Sequence, residues 1–285
     1  MKDLPREQAL DKAAEMVAGE YREPAQDPAT ENARRWYENA HEVLKNIFGD
    51  DLRIIVELIA ALSPRNNVKG NVRMALNYYV DWKAGKYDKW LNVFEQGLRM
   101  LESGEIAKIY PDKTPAQQLL TYLKDNAPDL AKNVSQFRDV PAFKVLLRRW
   151  YEDTEGPKVK AFADALAGDK DAAVIDAWMS RAIHRILWSA TEKKWRYLNE
   201  NEISLPQRVY ADGAEILRRA AKRLNMPVTH LQALIWSLEI ERWVRNKWLP
   251  PVHEYSDIPM ALKELKVEKP EHITELIQRR KRGEE

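Results

Sequence analysis

Apolar positions recur at three- and four-residue intervals along almost the whole chain, the spacing of one face of an α-helix. Alternating β-branched runs, the mark of strands, are few. The pattern predicts helices over 6–19, 30–48, 52–62, 67–82, 89–101, 115–125, 141–151, 158–166, 177–188, 206–224 and 229–248, with a weaker pair after Ser256. Punctuation sets their ends. Thr30 is placed to cap one helix and Gly49 to close it, and Asp50 to cap the next, over 52–62. Ser63-Pro64 stops that helix, and Asn66 or Asn67 opens another. Thr114 stands before Pro115, a cap followed by the residue favoured in a first turn. Pro24 and Pro28 make 21–30 read as a connector. The segment Leu52 to Leu62 is apolar nearly all round and belongs in the middle of the fold. The basic run Arg279-Arg280-Lys281-Arg282 is expected to fray.

The expectation is an all-α protein, a compact helical bundle with two lobes. Residues 1–50 and 190–285 would share one lobe, and 51–189 would form the other. Composition agrees, with 45% hydrophobic residues for a core, 32% charged, and only 10 glycines in 285 residues. A net charge of +2 excludes a strongly basic nucleic-acid coat but not a local basic face. With no cysteine, disulfides, cysteine-held zinc, iron–sulfur clusters and thiol nucleophiles are all excluded. The five histidines (His41, His184, His230, His253, His272) show no metal-ligand spacing, so no metal is expected. Met1 to Gly19 is charged throughout, unlike a signal peptide, and no stretch approaches the roughly 20 apolar residues of a membrane span. The ten tryptophans read mainly as packing between helices.

One stretch carries chemistry. Gly156-Pro157-Lys158 opens a helix at a glycine turn, with a lysine in its first turn. The apolar approach Ala173-Val174-Ile175 then delivers Asp176 to the cap of the next helix, 18 residues after Lys158. Two antiparallel helices joined this way can bring both side chains to one mouth. As a cap, Asp176 is expected to keep a low pKa. Taken alone, Asp176 reads better as a plain N-cap, and Lys158 can be read as a surface charge.

These residues resemble the helix-hairpin-helix DNA glycosylase superfamily, in its bifunctional, endonuclease III-like branch. That family has a glycine hairpin ending Gly-x-Lys, a helix, and then two apolar residues followed by Asp and, five positions on, Arg. The resemblance puts Lys158 on the nucleophilic lysine, Asp176 on the essential aspartate and Arg181 on the arginine. Upstream, Leu58-Ile59-Ala60-Ala61-Leu62-Ser63-Pro64-Arg65, followed by Asn71, is similar to the family's apolar helix ending Leu-Ser-x-Gln. Arg65 stands where the family has the glutamine that fills the gap left by the extruded base. The hairpin also departs: Glu152-Asp153-Thr154-Glu155-Gly156 replaces Leu-Pro-Gly-Val-Gly, placing carboxylates where backbone amides clamp a phosphate. The same segments are similar to phage-encoded proteins, which leaves a viral or antiviral setting open.

The resemblance implies an enzyme that flips a damaged or modified base out of double-stranded DNA and excises it without a cofactor. Asp176 would stabilise positive charge on the sugar, and Lys158 would attack C1′ and permit strand cleavage. Arg65, Asn66, Gly156, Lys160, Arg181, Lys193 and Lys194 are the candidate DNA contacts, the last two from the run Lys193-Lys194-Trp195-Arg196-Tyr197. Trp178, Gln232 and Trp236 are candidates for the base pocket. A cytoplasmic, nucleoid-associated monomer is expected. Two alternatives stay open: a monofunctional glycosylase using Asp176 alone, and a non-catalytic helical DNA-binding or adaptor protein.

Overall fold

The computed structural model describes residues 5–63, 67–128, 139–148, 156–189, 207–246 and 257–284. Every regular element among them is helical, as the apolar spacing requires. They are α1 (Arg6–Gln26), α2 (Glu31–Arg34), α3 (Trp36–Phe48), α4 (Leu52–Leu62), α5 (Val68–Lys83), α6 (Asp88–Glu102), α7 (Glu105–Ile109) and α8 (Pro115–Asn126). They continue with α9 (Asp139–Leu146), α10 (Pro157–Leu166), α11 (Ala177–Ser189), α12 (Gln207–Leu224), α13 (Val228–Arg245), α14 (Ile258–Glu264) and α15 (Pro270–Lys281). Among the described residues, no helix is long and apolar enough to cross a membrane.

Several helix ends differ from the sequence pattern. The first helix runs through Pro24 to Gln26. Pro24 forfeits one N–H bond in the last turn, and the burial of Tyr21 offsets that loss. Thr30 does not cap with its side chain; its hydroxyl donates to the carbonyls of Pro24 and Asp27. Asp50 lies in a short 3-10 turn, Gly49–Asp51, and α4 has no side-chain cap. Asn67 and Thr114 cap as expected: Asn67 accepts from Gly70 N–H at 2.7 Å, and Thr114 forms a reciprocal box with Gln117.

The chain divides into two compact units, residues 1–45 with 154–260 and residues 46–153 with 261–285. The expected lobes divide differently. The segment carrying Lys158 and Asp176 belongs with the N-terminal helices, and the C-terminal helix belongs with the middle of the chain.

In the first unit, α11 supplies an apolar face that completes a core with α1, α12 and α13. Met179, Ala182 and Ile186 meet Ala14, Val17, Leu217, Leu231 and Leu234 there. Alanines line the α1–α12 contact (Ala13, Ala14 and Ala18 against Ala214, Ala220 and Ala221), which lets these two helices approach closely. Arg219 bridges to Glu7 at 2.6 Å and Arg223 to Asp11 at 2.7 Å along the solvent edge of that contact. A polar knot ties three helices. The Glu239 carboxylate, 1% exposed, accepts from Tyr21 at 3.1 Å, Arg185 at 2.7 Å and Arg242 at 3.0 Å. Both arginines also hold Glu20, which balances the charge.

In the second unit, α4 packs against α5 and α9. Its nine residues from Ile54 to Leu62 are all buried, the all-round burial its sequence demands. Asn71 donates to the Ile59 carbonyl at 2.9 Å, a group released because Ser63 N–H turns to Ala60 instead. The C-terminal helix does not fray: Arg280 reaches the buried Asp81 carboxylate at 3.2 Å, where Lys86 and Tyr87 also converge.

Candidate active site

The site is built on two helix starts within the first unit. Gly156 has φ +92°, a conformation that disfavours any side chain, and Pro157 occupies the first position of α10. Lys158 is therefore held in the opening turn, half-buried. The far end of α10 is fixed as well. The His41 Nδ1–H donates to the Leu166 carbonyl at 3.0 Å. Gly168, with φ +100°, lies so close to this imidazole that a Cβ would come within 3.0 Å of it. His41 thus has a structural role.

Beyond Gly168 the chain crosses to α11 over an anchored loop. Lys170 donates to Glu38 at 3.0 Å, and its carbonyl accepts from Thr229 N–H at 3.2 Å. Ala172, Ala173, Val174 and Ile175 are buried, which explains the apolar approach seen in the sequence. Asp176 then caps α11, its Oδ1 accepting from Met179 N–H at 2.8 Å.

The electrostatics of Asp176 depart from the low pKa expected of a cap. Burial pushes its carboxyl above the ordinary value of 3.8, outweighing the opposing pull of Lys158, the Met179 and Trp178 amides and Arg181. The Lys158 charge nevertheless reaches Asp176 and is the largest of the influences favouring its ionised form. The structure therefore brings Lys158, Asp176 and Arg181 into one electrostatic neighbourhood.

Two tyrosines that the sequence pattern does not single out complete it. Tyr37 is buried, and its hydroxyl is pushed up by burial and by the charge of Asp176, against a hydrogen bond from Gln232. Tyr210, on α12, feels Asp176 too; burial pushes it up to about 12, so it keeps its proton at neutral pH. Its hydroxyl hydrogen-bonds to Ala173, Pro157 and Ile175. No local spacing announces either residue, because their partners lie far away in sequence.

An aromatic cluster lies beside them. Trp36 contacts Trp236 at 5.9 Å and lies nearly parallel to Phe162 at 6.4 Å, and Tyr37 meets Phe162 edge-on at 6.1 Å. Phe162 follows Lys158 by one helical turn. Among the predicted pocket residues, Gln232 and Trp236 belong to this cluster, with Gln232 2% exposed and its Oε1 buried without a hydrogen-bond partner among the described residues. Trp178 is edge-on to Trp243 at 5.4 Å. The Arg181 guanidinium packs over both of those indoles, at 4.6 and 4.5 Å.

Of the predicted DNA contacts, Gly156 is exposed and Lys160 pairs with Asp164 one turn on. Arg65, Asn66, Lys193 and Lys194 lie outside the described residues, as do the hairpin residues before Gly156. Among the described residues, no group of three or more His, Asp or Glu side chains is arranged to hold a metal.

Residues 140–245 match a protein family described as a family of unknown function (DUF7178), a span that contains Lys158, Asp176, Tyr210 and Gln232. No curated protein matches the chain, and no solved structure does.

Proposed function

We propose that this protein is a DNA glycosylase with AP-lyase activity. The observation that carries the reading is the coupling of Lys158 to Asp176, a half-buried carboxylate made more basic by its surroundings. Such a carboxylate is a better proton acceptor than a solvated aspartate. It can take a proton from the Lys158 ammonium and leave the neutral amine that nucleophilic attack requires.

The reaction follows from these two groups. With the target nucleotide flipped out of the duplex, the Lys158 nitrogen forms a bond to C1′ as the C1′–base bond breaks, and the base leaves with the bonding electrons. Asp176 hands the proton it took from Lys158 to the departing base and, ionised again, stabilises the positive charge left on the sugar–lysine adduct. Opening of the sugar gives an imine, and loss of the C2′ proton expels the 3′-phosphate. In this reading the partner is double-stranded DNA bearing a damaged or modified base, bound by a cytoplasmic, nucleoid-associated monomer. Gln232 and Trp236 line the base pocket, and Lys160, Arg181 and the basic residues outside the described segments contact the backbone.

The test is borohydride trapping on a duplex with a single abasic site, because it needs no knowledge of the base. Wild type is expected to give a covalent protein–DNA adduct that Lys158→Ala abolishes. No adduct from wild type removes the lyase assignment. An adduct that persists in Lys158→Ala moves the nucleophile elsewhere.

A further inference from the structure

The two helix starts that carry Lys158 and Asp176 come from separate segments. Among the described residues, no backbone–backbone hydrogen bond joins residues 156–158 to residues 172–176. One side-chain oxygen does the joining. The Tyr210 hydroxyl shares its proton between the Ala173 carbonyl at 2.9 Å and the Pro157 carbonyl at 3.3 Å, and accepts from Ile175 N–H at 3.4 Å. Pro157 immediately precedes Lys158, and Ile175 immediately precedes Asp176.

We propose that Tyr210 is a positioning residue that sets the distance and orientation between Lys158 and Asp176. Its ring is anchored in the core of the first unit, 9% exposed, among the α1, α11, α12 and α13 side chains. The hydroxyl therefore extends from a rigid base to the main chain on both sides of the site. Three main-chain groups, the Ala173 and Pro157 carbonyls and the Ile175 amide, bond to this one oxygen. A phenylalanine keeps the packing and releases both helix starts. Small displacements of reacting groups are costly in rate while leaving binding nearly untouched.

The kinetic arm rests on the glycosylase reading; a second arm does not. In that arm, carboxyl-labelled aspartate is followed by NMR through a pH titration of the full chain, with and without Lys158→Met. Removing the lysine charge is expected to raise the Asp176 midpoint in the wild-type background. In Tyr210→Phe that displacement is expected to shrink to less than about half, because the two groups are no longer held together. Tyr21→Phe is the matched control: it loses a buried hydroxyl bond to Glu239 in the same core and is expected to keep the full displacement.

In the kinetic arm, Tyr210→Phe is expected to slow single-turnover trapping at least about tenfold while duplex affinity stays within about twofold. An equal Lys158→Met displacement in both backgrounds overturns the proposal, whatever the activity. A wild type that shows no adduct while the titration coupling is lost in Tyr210→Phe sinks the glycosylase reading and leaves the positioning role standing. If Tyr210→Phe does not fold, 3-fluorotyrosine at position 210 keeps the shape and strengthens proton donation. A Lys158→Met displacement identical to that with tyrosine then overturns the proposal, and an enlarged one supports it.

Discussion

The carboxylate of Asp176 accepts the backbone N–H of Met179 at 2.8 Å, yet the same carboxyl titrates above its ordinary value. A residue kept only as a helix cap gains nothing from burial that raises its pKa. The two facts together describe a group whose charge is costly to the fold, because burial outweighs the amides that hold it.

The first prediction concerns stability. A carboxyl with a raised folded pKa favours the fold below its unfolded value, and that gain is lost as pH rises through the folded value. At neutral pH the ionised Asp176 therefore weakens the fold. Asp176→Asn keeps a good capping side chain and removes the buried charge. It is expected to be more stable than wild type by about 0.5–2 kcal/mol at pH 7 while trapping activity collapses. Urea unfolding at pH 7 and again below pH 4 checks the sign, since the advantage should fade in acid.

Catalysis should share that titration. Single-turnover trapping at saturating abasic DNA is expected to fall as pH drops through the Asp176 value, with a midpoint above 3.8. Arg181 favours the ionised form, so Arg181→Met should move this limb to higher pH. A limb that stays in place in the variant would detach Arg181 from the site.

Glu38 and His230 give the first unit two acid-sensitive contacts. Hydrogen bonds from Arg35 and Lys170 hold the Glu38 carboxyl down at about 2. Its contribution is present above the unfolded carboxylate range and is lost as pH falls through about 2. Glu38→Gln should cost about 1 kcal/mol at pH 7 and progressively less in acid. Burial lowers His230 below 6.5, against the pull of Glu38, so the folded state resists its protonation. Stability should accordingly fall as pH drops below 6.5, and a thermal-melt series should lose that early step in His230→Gln.

The Glu239 knot should behave as a unit. Glu239→Ala leaves Arg185 and Arg242 without their shared acceptor in the core and is expected to cost about 3–5 kcal/mol. Arg242→Ala should cost much less, because its side chain is more exposed and Arg185 still neutralises Glu239. Chemical denaturation of the two variants, each against wild type, makes the comparison.

Short-range physics accounts for what the chain determines by itself. Helix existence follows from apolar spacing, and the caps at Asn67, Thr114 and Asp176 follow from side chains that satisfy amides two or three residues ahead. Lys158 and Asp176 are legible because a glycine turn, an apolar approach and a cap are all short-range signals. Pro24 misleads, because a helix can bear one lost N–H bond where tertiary burial, here of Tyr21, offsets it. The basic tail misleads for a related reason. Arg280 is tied down by Asp81, about 200 residues earlier in the chain, through an ion pair that no local pattern encodes. The tertiary structure alone decided the rest: which helices share the first unit, how burial overrides the cap at Asp176, and that Tyr37 and Tyr210 surround it. Desolvation and main-chain contacts made by a distant hydroxyl are set by the three-dimensional approach of separate segments, and hydrophobic periodicity says which face of each helix turns inward but not which partner it meets.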